Sequence, residues 1–90
     1  MTLQEKFEIY HAENPHVYVL FRKYAKMAKD RGYTRFSSKA IFERLRWHYA
    51  METQGDEFKL NNNYTAFYAR ELSKEPEFNG FFELRERISI

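Results

Sequence analysis

The residues of this chain with the clearest chemical potential are the basic side chains of its middle third. Residues 22–48 hold nine Lys and Arg residues against two acidic ones, a net charge of +7. Residues 1–21 carry a net charge of −2 and residues 49–90 one of −3, so the whole chain reaches only +2. A basic segment of this kind attracts polyanions or an acidic protein surface. The solvated face of a helix has the same composition, so the sequence leaves both interpretations open.

Catalytic and metal-binding chemistry finds little support in the residue types. The chain has no cysteine, which excludes disulfides, thiolate metal sites and Cys nucleophiles. His11 and His16 flank Glu13, but their spacing matches no zinc pattern. The serines lack the strained turn of a nucleophile elbow, and the three glycines are too isolated to cradle a phosphate. We therefore expect neither an enzyme nor a bound cofactor or metal ion.

A run of three asparagines offers hydrogen-bonding groups of a different kind. Asn61, Asn62 and Asn63 suit a turn and a helix cap, because their amides compete for nearby backbone groups. The same amides could read a partner. The preceding residues 57–60 alternate polar and apolar side chains, the period of a strand. Four residues do not decide between a short β arm and an ordered loop.

Helical signals dominate the first third of the chain. Thr2 and Glu5 have the spacing of a capping box, which predicts a helix from Thr2 to about Asn14. Asn14 suits the N-cap and Pro15 the first position of a second helix, which should end before Gly32. That helix has an apolar stripe at helical spacing, which consists of Val17, Leu20, Phe21, Tyr24, Met27 and Ala28.

Two further helices are predicted after Gly32. Ser37 or Ser38 can cap a third helix that runs to about residue 53. Asn63 is the expected cap of a fourth helix over residues 64–75, which Pro76 interrupts. A short helical turn and a Phe-rich segment should follow and close the core.

These elements predict a mostly α, compact bundle of four to five helices, with a possible short β arm at 57–60. Ninety residues form one domain, residues 1–90. Nine Phe, seven Tyr and one Trp can fill a small core with few rotatable bonds. No apolar run approaches the length of a membrane span, and the N-terminus lacks an apolar signal core. We expect no membrane partner and a cytoplasmic protein.

The second and third helices resemble a helix-turn-helix in spacing, although their connector is longer than the tight turn of that motif. In that arrangement the third helix would read DNA with Lys39, Arg44, Arg46 and His48. Arg22, Lys26 and Lys29 of the second helix would grip phosphate. The full set of candidate nucleic-acid-binding or partner-binding residues is Arg22, Lys26, Lys29, Arg35, Lys39, Arg44, Arg46, His48, Asn61 and Asn62.

Three segments of the chain resemble a family of small uncharacterised proteins encoded by bacteriophages and prophages. They are FEIYHAENPHVYVLF, SSKAIFERLRWHYAMETQGDEFKLNNNYTAFYAREL and EPEFNGFFELRER, and the second is the most specific. The resemblance implies an accessory protein that acts in the cytoplasm of a bacterial host. It implies no functional residues, because the family has no established activity.

Two hypotheses follow from the basic segment and from this resemblance. The first is a small nucleic-acid-binding or regulatory protein that uses a basic helical surface. The alternative is a protein-interaction module that inhibits a host or defence enzyme, with Tyr and Arg at the contact. The partner is therefore a nucleic acid or an acidic host protein surface, and the sequence specifies neither its identity nor the oligomeric state.

Overall fold

Four α-helices follow one another in the computed structural model, which describes residues 1–53 and 60–82. They are α1 (Leu3–Glu13), α2 (Pro15–Asp30), α3 (Ser38–Trp47) and α4 (Thr65–Ser73). Short helical turns occur at His48–Glu52, Asn62–Tyr64 and Pro76–Phe78, and no strand forms within the described residues. The prediction of a mostly α-helical bundle is confirmed. The possible β arm at 57–60 lies, except for Leu60, outside the described residues.

The junction of α1 and α2 lies where the sequence placed it, at Asn14 and Pro15. The capping box of α1 forms as predicted: the Glu5 amide donates to Thr2 Oγ1 at 3.2 Å, and the Thr2 amide donates to Glu5 Oε1 at 3.1 Å. Pro15 opens α2, but the Asn14 side chain makes no cap bond to it. Asn14 Nδ2 instead donates to the Tyr10 carbonyl at 3.0 Å. Asn14 thus occupies the predicted N-cap position of α2 while its side chain bonds back to α1, and the two helices meet without a loop.

The later helices differ from the prediction at their ends. Ser37 caps α3, and the last turn, His48–Glu52, is a π-helix. The residue that caps the turn before α4 is Asn61, whose Oδ1 accepts from the Asn63 amide at 2.9 Å, so Asn63 is not the cap. α4 ends at Ser73 because Glu75, which precedes a proline, is in the extended conformation. None of the described helices is both long and apolar enough to cross a bilayer.

The core is centred on Tyr68 of α4, which is completely buried. Its ring lies 4.9 Å from that of Phe7 in α1, 5.9 Å from that of Phe21 in α2 and 6.0 Å from that of Phe42 in α3. Edge-to-face and tilted contacts at these centroid distances are the favoured geometry of aromatic pairs. One tyrosine thus joins α4 to the other three helices.

A short C-terminal segment, residues 74–82, closes the bundle beside α2. Phe78, Phe81 and Phe82 are buried, as expected of the Phe-rich segment. The Phe36 amide donates to the Phe81 carbonyl at 3.0 Å, which fixes the segment against the connector between α2 and α3. The same path brings Glu75 and Glu77 alongside α2. Two carboxylates from the far end of the chain therefore meet the basic segment.

Candidate partner-binding groove

The charged and apolar residues of α2 separate onto two flanks. Each residue turns an α-helix by about 100°, so positions two apart differ by about 200°. Arg22, Lys26 and Lys29 follow one another at helical spacing and contact the C-terminal segment. Tyr24, Met27 and Arg31 are displaced from them by one to two positions and lie toward α3. We call the first set the paired flank and the second the open flank.

Arg22 on the paired flank is bound by the chain's own carboxylates. Its Nε lies 3.0 Å from Glu75 Oε1 and 3.1 Å from Glu75 Oε2, and its Nη2 lies 3.9 Å from Glu77 Oε1. Tyr18 Oη donates to Glu75 Oε2 at 2.8 Å. The hydrogen bond from Tyr18, together with Arg22, lowers the pKa of Glu75. Arg22 therefore secures the C-terminal segment.

The other two cations of the paired flank are engaged as well. Lys26 Nζ lies 3.4 Å from Asp30 Oδ1 and 3.5 Å from Glu77 Oε1. Lys29 Nζ donates to the Glu77 carbonyl and lies 5.3 Å from the centre of the Phe78 ring. The three residues expected to grip phosphate thus have partners in their own chain.

Two of the four predicted reading residues of α3 share one carboxylate. Arg44 Nη1 and Nη2 donate to Glu52 Oε1 and Oε2 at 2.6 and 3.2 Å, and His48 Nδ1 lies 3.3 Å from Glu52 Oε1. The hydrogen bond from Arg44 lowers the pKa of Glu52 and raises that of Arg44 itself. The Arg44 guanidinium also lies over the Tyr24 ring, 4.8 Å from its centre, which is cation–π geometry.

The remaining candidates lie on the opposite side of α3 or before it. Arg46 donates to Asn62 Oδ1, and Lys39 lines the same cleft between α3 and the start of α4. Asn61 is occupied as the cap described above. Arg35 lies in the connector beside Ser37 and Ser38. The structure therefore brings together Lys39, Arg46 and Asn62, but it does not join them to the paired flank in one basic surface.

An apolar groove runs between the open flank of α2 and the start of α3. Its cavity volume is about 450 Å³. Ala28 and Ile41 are buried at its base, while Met27 and Tyr33 remain 54% and 55% exposed at its sides. Met27 belongs to the apolar stripe of α2 but, unlike the rest of it, is exposed. Its side chain forms a wall of the groove because α3 covers only part of the stripe.

The charged side chains that line this groove are both arginines. Within the described residues its charged lining side chains are Arg31 and Arg44. Arg31 is exposed and forms no ion pair with a described residue. An apolar trough with arginines at its edge can hold an apolar side chain and a carboxylate at the same time.

Comparison with known proteins adds no further guide to the site. No protein-family model, curated protein or solved structure matches this chain. The resemblance to bacteriophage proteins therefore stays a prediction. In the described part of the chain, no three His, Asp or Glu side chains come together in a way that could hold a metal ion.

Sequence reasoning missed the groove because its components looked like core. Tyr24, Met27 and Ala28 belong to the apolar stripe, and periodicity does not tell which part of a wide stripe a neighbour covers. A usable signal was the width of that stripe, which a single neighbouring helix need not cover completely. Tyr33 was assigned only to a connector, and because connectors lie on the surface, an exposed tyrosine there did not indicate a binding site.

Proposed function

We propose that this chain is a protein-interaction module that binds a segment of a partner protein in the groove between α2 and α3. The observation that carries the proposal is the exposed pair Met27 and Tyr33 above the buried Ala28 and Ile41. Exposed methionine and tyrosine side chains beside an apolar trough offer a partner a contact surface. A partner side chain that enters the trough would remove apolar surface from water on both sides.

The residue types of the groove fit this use. Tyr and Arg are enriched at the centres of protein interfaces, where they combine large contact area with directional hydrogen bonds. Methionine adapts its shape to different partners because it is unbranched and polarizable. Tyr24, Met27, Tyr33 and the two arginines supply all three types within one trough.

The ion pairs of the paired flank also favour a protein partner over a polyanion. Binding to phosphates depends on cations that release counterions when they are neutralised. Arg22 and Lys26 are already paired with Glu75 and Glu77. The excess charge of residues 22–48 therefore overstates the charge available to a nucleic acid.

Selection from a random-peptide library, followed by mapping of the bound peptide by NMR, tests the proposal. We expect selected peptides to shift the amide signals of α2 and α3 residues around Met27. Met27→Asp should abolish their binding, because a charge in an apolar trough is costly to desolvate. Val19→Asp is the matched control, since Val19 is also exposed on α2 but does not line the groove.

Two outcomes would contradict this function. One is a selection that yields no peptide dependent on Met27. The other is an equal loss of binding in Val19→Asp, which would mean that any added negative charge weakens the contact.

Nucleic-acid binding is the second candidate, and the cleft of Lys39, Arg46 and Asn62 favours it. The hydrogen-bond partner of Arg46 is a neutral amide, although Glu43 lines the same cleft and offsets part of its positive charge. Two phosphate contacts would give a salt dependence of about −2 on a logarithmic plot. DNA binding, measured by fluorescence anisotropy with labelled DNA, should then be weaker in Lys39→Gln and Arg46→Gln but unchanged in the control Lys6→Gln. A slope several times steeper, or no dependence on Lys39 and Arg46, would reject this cleft.

The resemblance to bacteriophage proteins suggests where such a partner would be sought. A small accessory protein in the host cytoplasm would find its target among host or defence proteins, and an inhibitor of an enzyme is one such role. That setting, and the expectation that the chain is not itself an enzyme, rest on the sequence.

A further inference from the structure

We infer that the partner segment is acidic and amphipathic, and that one of its carboxylates replaces Glu52 on Arg44 while another approaches Arg31. The inference rests on the proposed function, since it names the chemistry of the segment that the groove accepts. It adds a specific claim: the chain already holds a carboxylate where the partner's carboxylate would bind.

Arg44 is held in position for such an exchange. Its side chain lies over Tyr24, a groove residue, and both of its terminal nitrogens donate to Glu52. Two parallel hydrogen bonds to one carboxylate are the strongest geometry available to arginine. The guanidinium is therefore oriented for a carboxylate before any partner arrives.

Glu52 is well suited to being displaced. It lies in the π-helical turn His48–Glu52, eight residues after Arg44, and both side chains of the pair are close to half-exposed. Because water solvates the separated charges at this exposure, it offsets part of the gain from the bidentate geometry. His48 Nδ1 also contacts Glu52 Oε1, so the Glu52 carboxylate keeps one contact when a partner's carboxylate replaces it on Arg44.

Arg31 supplies the second attraction, at the end of α2. It lines the same groove and is exposed, and it forms no ion pair with any of the described residues. The apolar residues Met27, Ala28 and Ile41 belong to the same trough as the two arginines. The complementary segment therefore has apolar side chains flanked by Asp or Glu.

A defined peptide series tests this chemistry on the full-length chain. The probe is a labelled helical peptide of about 14 residues, or four turns, with Leu and Phe on one stripe and Glu beside them. A twin carries Gln in place of every Glu, and a second twin carries Lys. Fluorescence anisotropy at low salt gives the affinities, and Met27→Asp shows whether each peptide uses the groove.

The decisive variant is Glu52→Gln, which removes the internal competitor and leaves Arg44 in place. We expect it to bind the Glu peptide about 3- to 10-fold more tightly, the range of a modest electrostatic contact. Arg44→Gln should weaken the same peptide several-fold. The matched control is Glu77→Gln, which also frees cations, but on the paired flank, and it should leave the affinity unchanged.

The outcomes separate this inference from the function beneath it. If the Gln twin binds as tightly as the Glu peptide, and both depend on Met27, the groove binds proteins but the acidic preference is wrong. Equal effects of Glu52→Gln and Glu77→Gln would also overturn the exchange. If no peptide binding depends on Met27, the proposed function itself fails. Self-association of the chain that Met27→Asp abolishes would assign the groove to a second copy and overturn the acidic segment.

Discussion

The residues of the two flanks of α2 are interleaved along the same stretch of sequence, but different parts of the chain contact them in the structure. The paired flank is covered by the C-terminal segment, which supplies Glu75 and Glu77. The open flank meets α3 only in part and leaves Met27 exposed beside Arg31. The cations that looked like a binding surface are thus engaged by the chain's own carboxylates, and part of the apolar stripe of α2 is open.

This difference follows from where the chain's acids end up. A cation contributes to binding at long range only when its charge is not already neutralised nearby. Net charge counted along a segment ignores partners from distant segments, and Arg22 lies 53 residues from Glu75. Charge in a sequence therefore predicts a surface less well than apolar periodicity predicts a helix.

The largest expected effect concerns stability and contrasts one residue from each flank. Phe78→Ala should lower the free energy of unfolding by about 3–5 kcal/mol, because Phe78 is completely buried beneath Arg22 and Lys29. Met27→Ala should lower it by less than about 1 kcal/mol, since Met27 is largely exposed. Urea denaturation measures both. Similar losses would mean that the open flank is as structural as the paired one.

A smaller difference is expected between two carboxylates. Glu75→Ala removes the acceptor of Tyr18 and Arg22 and should lower the free energy of unfolding by about 1–2 kcal/mol. Glu52→Ala removes an exposed pair and should lower it by less than Glu75→Ala does. The same urea titration compares the two variants. A greater loss for Glu52→Ala would argue against its displacement by a partner.

The smallest expected effect is a change in acid stability. The pKa values of Glu75 and Glu52 are both lowered in the folded chain. The main cause is the hydrogen bond from Tyr18 for Glu75 and the hydrogen bond from Arg44 for Glu52. Their contribution is therefore present above the ordinary pKa of 4.5 and is lost as the pH falls below it. Glu75→Gln should flatten the decline in melting temperature below that pH more than Glu52→Gln does. Unchanged acid profiles in both variants would contradict these ion pairs.

Local signals in the sequence predicted the helices and their first turns well. Two of these signals depend on neighbouring residues alone, namely the capping box of Thr2 and Glu5 and the helix end at the glycine after α2. Both are present in the structure. Gly32 has a φ of +101°, a conformation that favours glycine. The cap before α4 was assigned to the wrong residue, because any of three adjacent asparagines could act as a cap.

Long-range contacts decided what local signals could not. The pairing of α2 with Glu75 and Glu77, the exposure of Met27 and the π-helical turn after α3 all depend on how distant segments pack. The sequence identified Arg44 and His48 as candidates, but it gave no sign that Glu52 would bind both. The groove arises from the packing of α2 against α3, so no sequence motif marks it.

The most direct test of this account exchanges one charge on each flank of α2 and measures binding of the acidic peptide. Arg31→Gln and Lys26→Gln change the net charge equally, but only Arg31 lines the groove. We predict that Arg31→Gln weakens the peptide several-fold while Lys26→Gln leaves its affinity unchanged. Equal weakening by both variants would mean that the peptide responds to overall charge, and it would contradict a binding site on the open flank.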